Sequence, residues 1–156
     1  MSATELLSLR RFLAALFVVS FGLNWLWEMF QMSDYVEMAG KAWRETVFAC
    51  GIASLGDAAV TLLIYGAGAL ATGRSKWLTD YGYKAYAAAA LAGAASAVVI
   101  EWTAQGTGRW TYMNEMPVVP FLGTGLWPLL QLTVLVPLAL GLAALWEGRP
   151  RPAAPN

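Results

Sequence analysis

The sequence contains no histidine, a single cysteine and few charged residues. Without histidine, the chain has no imidazole for acid–base catalysis, for haem ligation or for the common zinc sites. Cys50 has no second cysteine in the chain with which it could form a disulfide bond. The net charge is +0 and no basic run is present, which gives no indication of nucleic-acid binding. We therefore predict no metal, no cofactor and no nucleic-acid partner.

The shortage of charge is itself informative, because charged residues make up 13% of the chain and apolar residues 58%. A soluble domain carries about a quarter charged residues. The charges lie mostly outside four apolar runs, each long enough for the ~20 residues that cross a bilayer as a helix. We predict an all-α integral membrane four-helix bundle in one domain, 1–147, followed by a flexible proline-rich tail, 148–156. The predicted spans are about 11–31, 48–71, 83–105 and 121–146.

The orientation follows from the positive charges, which favour the cytoplasmic side of a membrane. Seven lysines and arginines flank the spans on the side of the termini and three on the other side. We predict that both termini are cytoplasmic in a multi-pass protein of the inner (plasma) membrane. The connections at about 32–47 and 106–120 would then face outward.

Polar residues inside the spans are the strongest signal of function, because a central charge costs about 2.5–3.5 kcal/mol on insertion scales. Glu28 and Asp57 each lie on a polar face with residues three or four positions apart, which meet on one side of a helix. Glu101 and Gln131 occupy comparable positions in the third and fourth spans. With the predicted orientation, all four lie in the outer half of the bilayer. The pattern therefore indicates a polar cavity that opens outward.

We predict Glu28, Asp57 and Glu101 as catalytic acids and bases. The predicted substrate-binding residues are Asn24, Trp27, Arg109, Tyr112, Trp127 and Gln131. The alternative for the amides is hydrogen bonding between helices. Arg109 is predicted to pair with Glu101 or Asp57, to hold an anionic head group, or to lie on the loop surface.

Two resemblances accompany this pattern. The stretches NWLWEMFQM, SLGDAAVTLLIYG and EWTAQGTGRWTYMNEMPVVPFLGTGLWPLLQ together resemble an uncharacterised family of small bacterial four-helix membrane proteins. This resemblance covers most of the chain and implies no activity. The local N-x-x-W-E pattern at Asn24, Trp27 and Glu28 is similar to a motif of membrane-integral terpene cyclases, which have more spans. That similarity implies an isoprenoid substrate protonated by Glu28.

Three functions remain open at this level. An enzyme that performs acid–base chemistry on a lipid or isoprenoid would use the carboxyl groups and tryptophans of the cavity. A small proton-coupled transporter would need a second path to the inner side. A non-catalytic subunit or assembly factor would act in a larger membrane complex. The partners that we expect are membrane lipids, a lipid or isoprenoid ligand, and either a second copy of the chain or a membrane complex.

Overall fold

The computed structural model describes residues 2–147. Four long helices cross the bundle: α1 (Ala3–Gln31), α2 (Trp43–Thr72), α4 (Tyr83–Gly106) and α5 (Leu126–Glu147). A short helix, α3 (Trp77–Tyr81), lies in the turn between α2 and α4. The four long helices have the length and hydropathy of membrane spans. The chain is thus an all-α, multi-pass membrane protein, as predicted, while the tail at 148–156 lies outside the described residues.

The helix ends follow local sequence signals. Ser2 and Glu5 form a reciprocal capping box that starts α1 eight residues before the predicted span. At the other end of the next helix, Gly73 closes α2 in the left-handed conformation, with φ of 66°.

The fourth span begins later than predicted. Phe121 and Gly123 both have φ near +67°, which a helix cannot contain, so α5 starts at Leu126 rather than at 121. Thr124 therefore precedes α5 and does not share a helical face with Gln131.

The helices pack around a core that is concentrated at the α3 side of the bundle. Leu16, Tyr65, Val136 and Leu140 are buried there together with the alanines of α4. Trp77 of α3 lies against Gly68 and donates a hydrogen bond from Nε1 to the Tyr65 carbonyl oxygen, at 3.2 Å. This half of the bundle is consequently filled by close apolar packing.

The contacts among the long helices are uneven. Helix α1 packs extensively on α2 and α5, and α4 packs extensively on α5, whereas α2 and α4 touch much less. Gly93 brings α4 so close to α5 that a Cβ atom there would collide with the Leu132 carbonyl oxygen. The bundle is therefore tight on three sides and loose along the α2–α4 seam.

The two connections on the side opposite α3 join into a single structure that we call the cap, formed by residues 32–42 and 107–125. Val36 N donates to the Thr111 carbonyl oxygen at 3.0 Å, and Met113 N donates to the Asp34 carbonyl oxygen at 2.8 Å. Tyr35 and Tyr112 face each other in an antiparallel bridge. The cap joins α1 to α2 and α4 to α5 at this end of the bundle.

Candidate functional site

A cavity of about 600 Å³ lies beneath the cap, between the helices. Glu28, Asp57 and Glu101 reach it from α1, α2 and α4, and Gln131 reaches it from α5. Most of the remaining wall is apolar: Phe48, Ile52, Val60, Ala97, Ile100 and Leu132. This volume lies in the range of small-molecule pockets, roughly 300–1,000 Å³.

Gln131 connects three of the four long helices. Its side chain is 2% exposed, and its Nε2 lies 3.0 Å from Asn24 Oδ1, 3.1 Å from Glu28 Oε1 and 2.9 Å from Asp57 Oδ2. Since this nitrogen has two hydrogens, the three oxygens share them. The carboxyl groups of Glu28 and Asp57 therefore accept from the same nitrogen atom, which keeps them close together.

Gln31 is a second buried amide of the site, which the site prediction left out. Its Nε2 donates to Glu28 Oε1 at 3.1 Å and to Gln131 Oε1 at 2.9 Å. Its own Oε1 is buried and accepts no hydrogen bond from residues 2–147. The signal in the sequence was its position three residues after Glu28, on the same helical face.

Glu101 is held from the cap rather than from the helices. Tyr112 Oη and Trp110 Nε1 both donate hydrogen bonds to Glu101 Oε2, the latter at 3.1 Å. Tyr112 Oη also accepts a hydrogen bond from Gly125 N at 2.8 Å. Burial and the Glu101 carboxyl group raise the pKa of the Tyr112 hydroxyl, so it keeps its proton and acts as a donor.

Tyr35 completes the aromatic roof of the cavity. Its ring centroid lies 6.2 Å from that of Trp110 and 5.8 Å from that of Tyr112. Burial, followed by the nearby Glu101 and Glu28, raises the pKa of the Tyr35 hydroxyl. Tyr35 and Trp110 both line the cavity, although the sequence analysis named neither as a site residue.

Arg109 does not pair with a carboxyl group. Its guanidinium lies over the Trp110 ring, 5.2 Å from the centroid, and the ion pair within residues 2–147 is Arg74–Asp80 on the α3 side. The predicted pairing of Arg109 with Glu101 or Asp57 was therefore wrong, because hydroxyl, indole and amide donors occupy those carboxyl groups. Arg109 still lines the mouth of the cavity with Lys41.

The other predicted binding residues lie outside the cavity wall. Asn24 is fully buried, donates from Nδ2 to the Ser20 carbonyl oxygen at 2.8 Å and accepts from Gln131. Trp27 and Trp127 flank Phe30, whose ring centroid lies 6.4 Å and 5.8 Å from theirs. A role for these three residues in substrate binding stays a prediction.

The site is rich in hydrogen-bond acceptors. Its deep part is lined by three carboxyl groups and two amides, and its two cationic side chains lie in the cap. Among residues 2–147, no group of acidic or cysteine side chains is close enough to hold a metal ion. The arrangement therefore offers proton-transfer groups and acceptors in a mainly apolar space.

Comparison of the chain with protein-family models, with curated proteins and with solved structures finds no match. The two resemblances read from sequence motifs accordingly stay predictions.

Proposed function

We propose that this protein is an inner-membrane enzyme that performs acid–base chemistry on a lipid or isoprenoid bound in the cavity. The observation that carries the proposal is the convergence of Glu28, Asp57 and Glu101, from three helices, on one mainly apolar space. Intramembrane carboxyl groups are costly to maintain and are typical of functional sites. The orientation in this proposal places the cap outside and both termini in the cytoplasm.

The reaction that suits these groups is the protonation of a carbon–carbon double bond. The carboxylic acid of Asp57 breaks its O–H bond and delivers the proton, while the π electron pair forms the new C–H bond. The neighbouring carbon becomes a cation. The carboxylate of Glu101 then removes a proton from an adjacent carbon, whose C–H electron pair forms the rearranged double bond. No oxidant, reductant or further reactant is needed.

The hydrogen bonds fit this division of roles. Glu101 accepts two hydrogen bonds, which favour its ionised form and leave it available as a base, whereas Asp57 accepts one, from Gln131. Glu28 accepts from the same amide nitrogen as Asp57 and is the third carboxyl group of the site. The rings of Tyr35 and Trp110 in the wall would stabilise a cationic intermediate through their π faces.

Close packing on the α3 side favours this proposal over a transporter. Between the cavity and the α3 side lie the buried side chains of Leu16, Tyr65, Val136 and Leu140. A transported solute would have to pass through this packed core. A site that opens toward the cap side needs no such path.

Deuterium labelling tests the proposed reaction directly. The purified protein in nanodiscs is incubated with a bacterial lipid extract in D₂O, and the lipids are analysed by mass spectrometry. Proton delivery to carbon leaves a non-exchangeable C–D bond in the product. We expect labelled lipid with the unaltered protein and a loss of about 100-fold or more with Asp57→Asn and with Glu101→Gln, the range of general acid–base contributions.

Glu115→Gln is the matched control, because Glu115 is an acidic residue of the cap that does not line the cavity. It should label lipid at the unaltered rate. Equal labelling by Asp57→Asn and the unaltered protein would overturn the proposal. An absence of labelling combined with copurification of a stoichiometric partner protein would favour the subunit alternative.

A further inference from the structure

The wall of the cavity is open on its α2 side. Phe48 and Ile52 line the cavity and are also 71% and 49% exposed on the surface of the bundle. Gly56, one residue before Asp57, lines the cavity as well, and a Cβ atom there would meet nothing within 4 Å. These residues lie along the seam where α2 and α4 make few contacts. The cavity is therefore continuous with the lipid-facing surface of the bundle.

The opening is elongated along the helix axis. The α2 wall of the cavity runs from Phe48 to Val60, three turns of helix, or roughly 18 Å at about 1.5 Å per residue. Apart from Gly56 and Asp57, the lining residues of α2 have apolar side chains that are either exposed or half-buried. A groove of this length and polarity fits a hydrocarbon chain that lies parallel to α2.

The polar end of the cavity, near Gln31, indicates which chemical group the head of such a ligand carries. Gln31 is 2% exposed, lines the cavity, and has a buried Oε1 without a hydrogen-bond donor among residues 2–147. A buried acceptor without a donor is unfavourable, so a ligand that donates a hydrogen bond to it would be favoured. A hydroxyl group is such a donor.

The charges near this acceptor argue against an anionic head group there. Glu28 lies within hydrogen-bond distance of Gln31 Nε2, and Asp57 and Glu101 line the same cavity. Lys41 and Arg109 belong to the cap at the mouth. A phosphate beside Gln31 would therefore face oxygen acceptors rather than cations.

We infer that an uncharged, hydroxyl-bearing long-chain lipid enters the cavity sideways from the bilayer, between α2 and α4 at Gly56, and that its hydroxyl group donates a hydrogen bond to Gln31 Oε1. This inference rests on the proposed function, because it names the substrate class of the same site. It concerns binding alone and so can fail or succeed separately from the chemistry.

The test is a binding measurement by native mass spectrometry on the full chain in detergent. The three probes are oleyl alcohol, oleyl phosphate and octadecene, which share a hydrocarbon chain and differ at the head. We expect one oleyl alcohol bound per chain and at least tenfold weaker binding of the other two. Gln31→Leu should remove the preference for the alcohol over octadecene.

Two glycine variants test the portal. Gly56→Leu places a side chain in the opening and should weaken binding of oleyl alcohol at least tenfold. Gly51→Leu is the matched control, because Gly51 lies on the same helix, is equally free of neighbours within 4 Å, and does not line the cavity. It should bind as the unaltered chain does. Thermal unfolding of both variants verifies that they are folded.

Equal binding of oleyl alcohol by folded Gly56→Leu and Gly51→Leu would overturn the portal. Tighter binding of oleyl phosphate would overturn the uncharged head and point to Lys41 and Arg109 instead. Binding of the alcohol without deuterium labelling would remove the proposed catalysis and keep this inference. Labelling with no preference among the three probes would remove this inference and keep the catalysis.

Discussion

At the residue scale, the site depends on the side-chain amides of Gln31 and Gln131, which donate hydrogen bonds to several side-chain oxygens at once. Gln131 makes four hydrogen bonds, to side chains of α1 and α2. All four cross from one helix to another, and therefore they set the position of the carboxyl groups as well as the packing of the bundle. Gln131 thus positions the carboxyl groups, in the interhelical role that the sequence left open for the amides, and its contact with a substrate stays a prediction.

Replacing this amide should destabilise the bundle measurably. Hydrogen bonds between membrane helices contribute about 0.6 kcal/mol each on average. Three hydrogens serve the four contacts, two from Gln131 Nε2 and one from Gln31, which predicts a loss of about 2 kcal/mol in the free energy of unfolding for Gln131→Leu. The measurement is reversible unfolding in mixed detergent micelles.

The control for this variant is Thr133→Val, two residues further along the same helix. Thr133 Oγ1 donates to the Leu129 carbonyl oxygen within α5, at 2.6 Å, and binds no other helix. Its replacement should cost less than about 0.6 kcal/mol. Equal losses for the two variants would show that the interhelical bonds of Gln131 add nothing to stability.

At the element scale, the cap is the part of the structure with the greatest influence on the site. Its two segments pair through backbone hydrogen bonds between Val36 and Thr111, 75 positions apart, and between Asp34 and Met113, 79 positions apart. The pairing places Trp110 and Tyr112 over Glu101. A change that loosens the cap should therefore also weaken the hydrogen bonds to Glu101.

Glu37 makes the cap sensitive to acid. Its Oε2 accepts a hydrogen bond from Thr111 N at 2.9 Å. Burial acts to raise the pKa of Glu37, but hydrogen bonds from Thr111 and the charge of Lys41 outweigh it, and the pKa is lowered. A lowered pKa in the folded state means that the stabilisation is complete above the ordinary glutamate value of about 4.3. It is lost as the pH falls through the lowered value.

We therefore expect faster hydrogen exchange of the Thr111 amide as the pH falls below about 4, after correction for the intrinsic exchange rate. Glu37→Gln should remove this acid dependence, because the amide of glutamine does not titrate in this range. Glu115→Gln, a change in the same cap outside the inter-loop bonds, should retain it. Acid dependence that persists in Glu37→Gln would contradict the assignment.

At the scale of the whole molecule, a packed half and an open half divide the bundle. The α3 side contains the apolar core, and the cap side contains the cavity and its polar groups. All four long helices also expose apolar side chains around the outside of the bundle, among them Val18, Leu63, Leu91 and Leu145. This surface requires a lipid environment, since a water-soluble protein rarely exposes large apolar patches.

The orientation of the whole molecule can be measured with a membrane-impermeant maleimide on a Cys50→Ala background. Positive charges favour the α3 side as cytoplasmic, seven against three. Glu115→Cys in the cap should therefore react in intact spheroplasts, and Lys76→Cys only after permeabilisation. The reverse labelling pattern would invert the proposed orientation and place the cavity mouth in the cytoplasm.

The sequence by itself predicted the number of spanning helices, because hydropathy over about 20 residues depends on local composition alone. It also placed Glu28 and Asp57 on helical faces with other polar residues, since a period of 3.6 residues needs no tertiary information. The direction of each span then predicted that Glu28, Asp57 and Glu101 lie at a similar depth in the outer half of the bilayer. The portal and the catalytic roles extend this pattern as proposals.

Only the tertiary structure decided which groups meet. The bond between Gln31 and Gln131 joins residues 100 positions apart, and no local pattern specifies such a pair. Charge alone suggested Arg109 as the partner of Glu101, but the pairing of the two cap segments brings Tyr112 and Trp110 to that carboxyl group instead. Likewise, Phe121 and Gly123 have a left-handed backbone, so α5 begins only at Leu126, although the residues around them are apolar enough to continue a span. Hydropathy and periodicity describe one helix at a time, whereas the site is made where four helices and two loops come together.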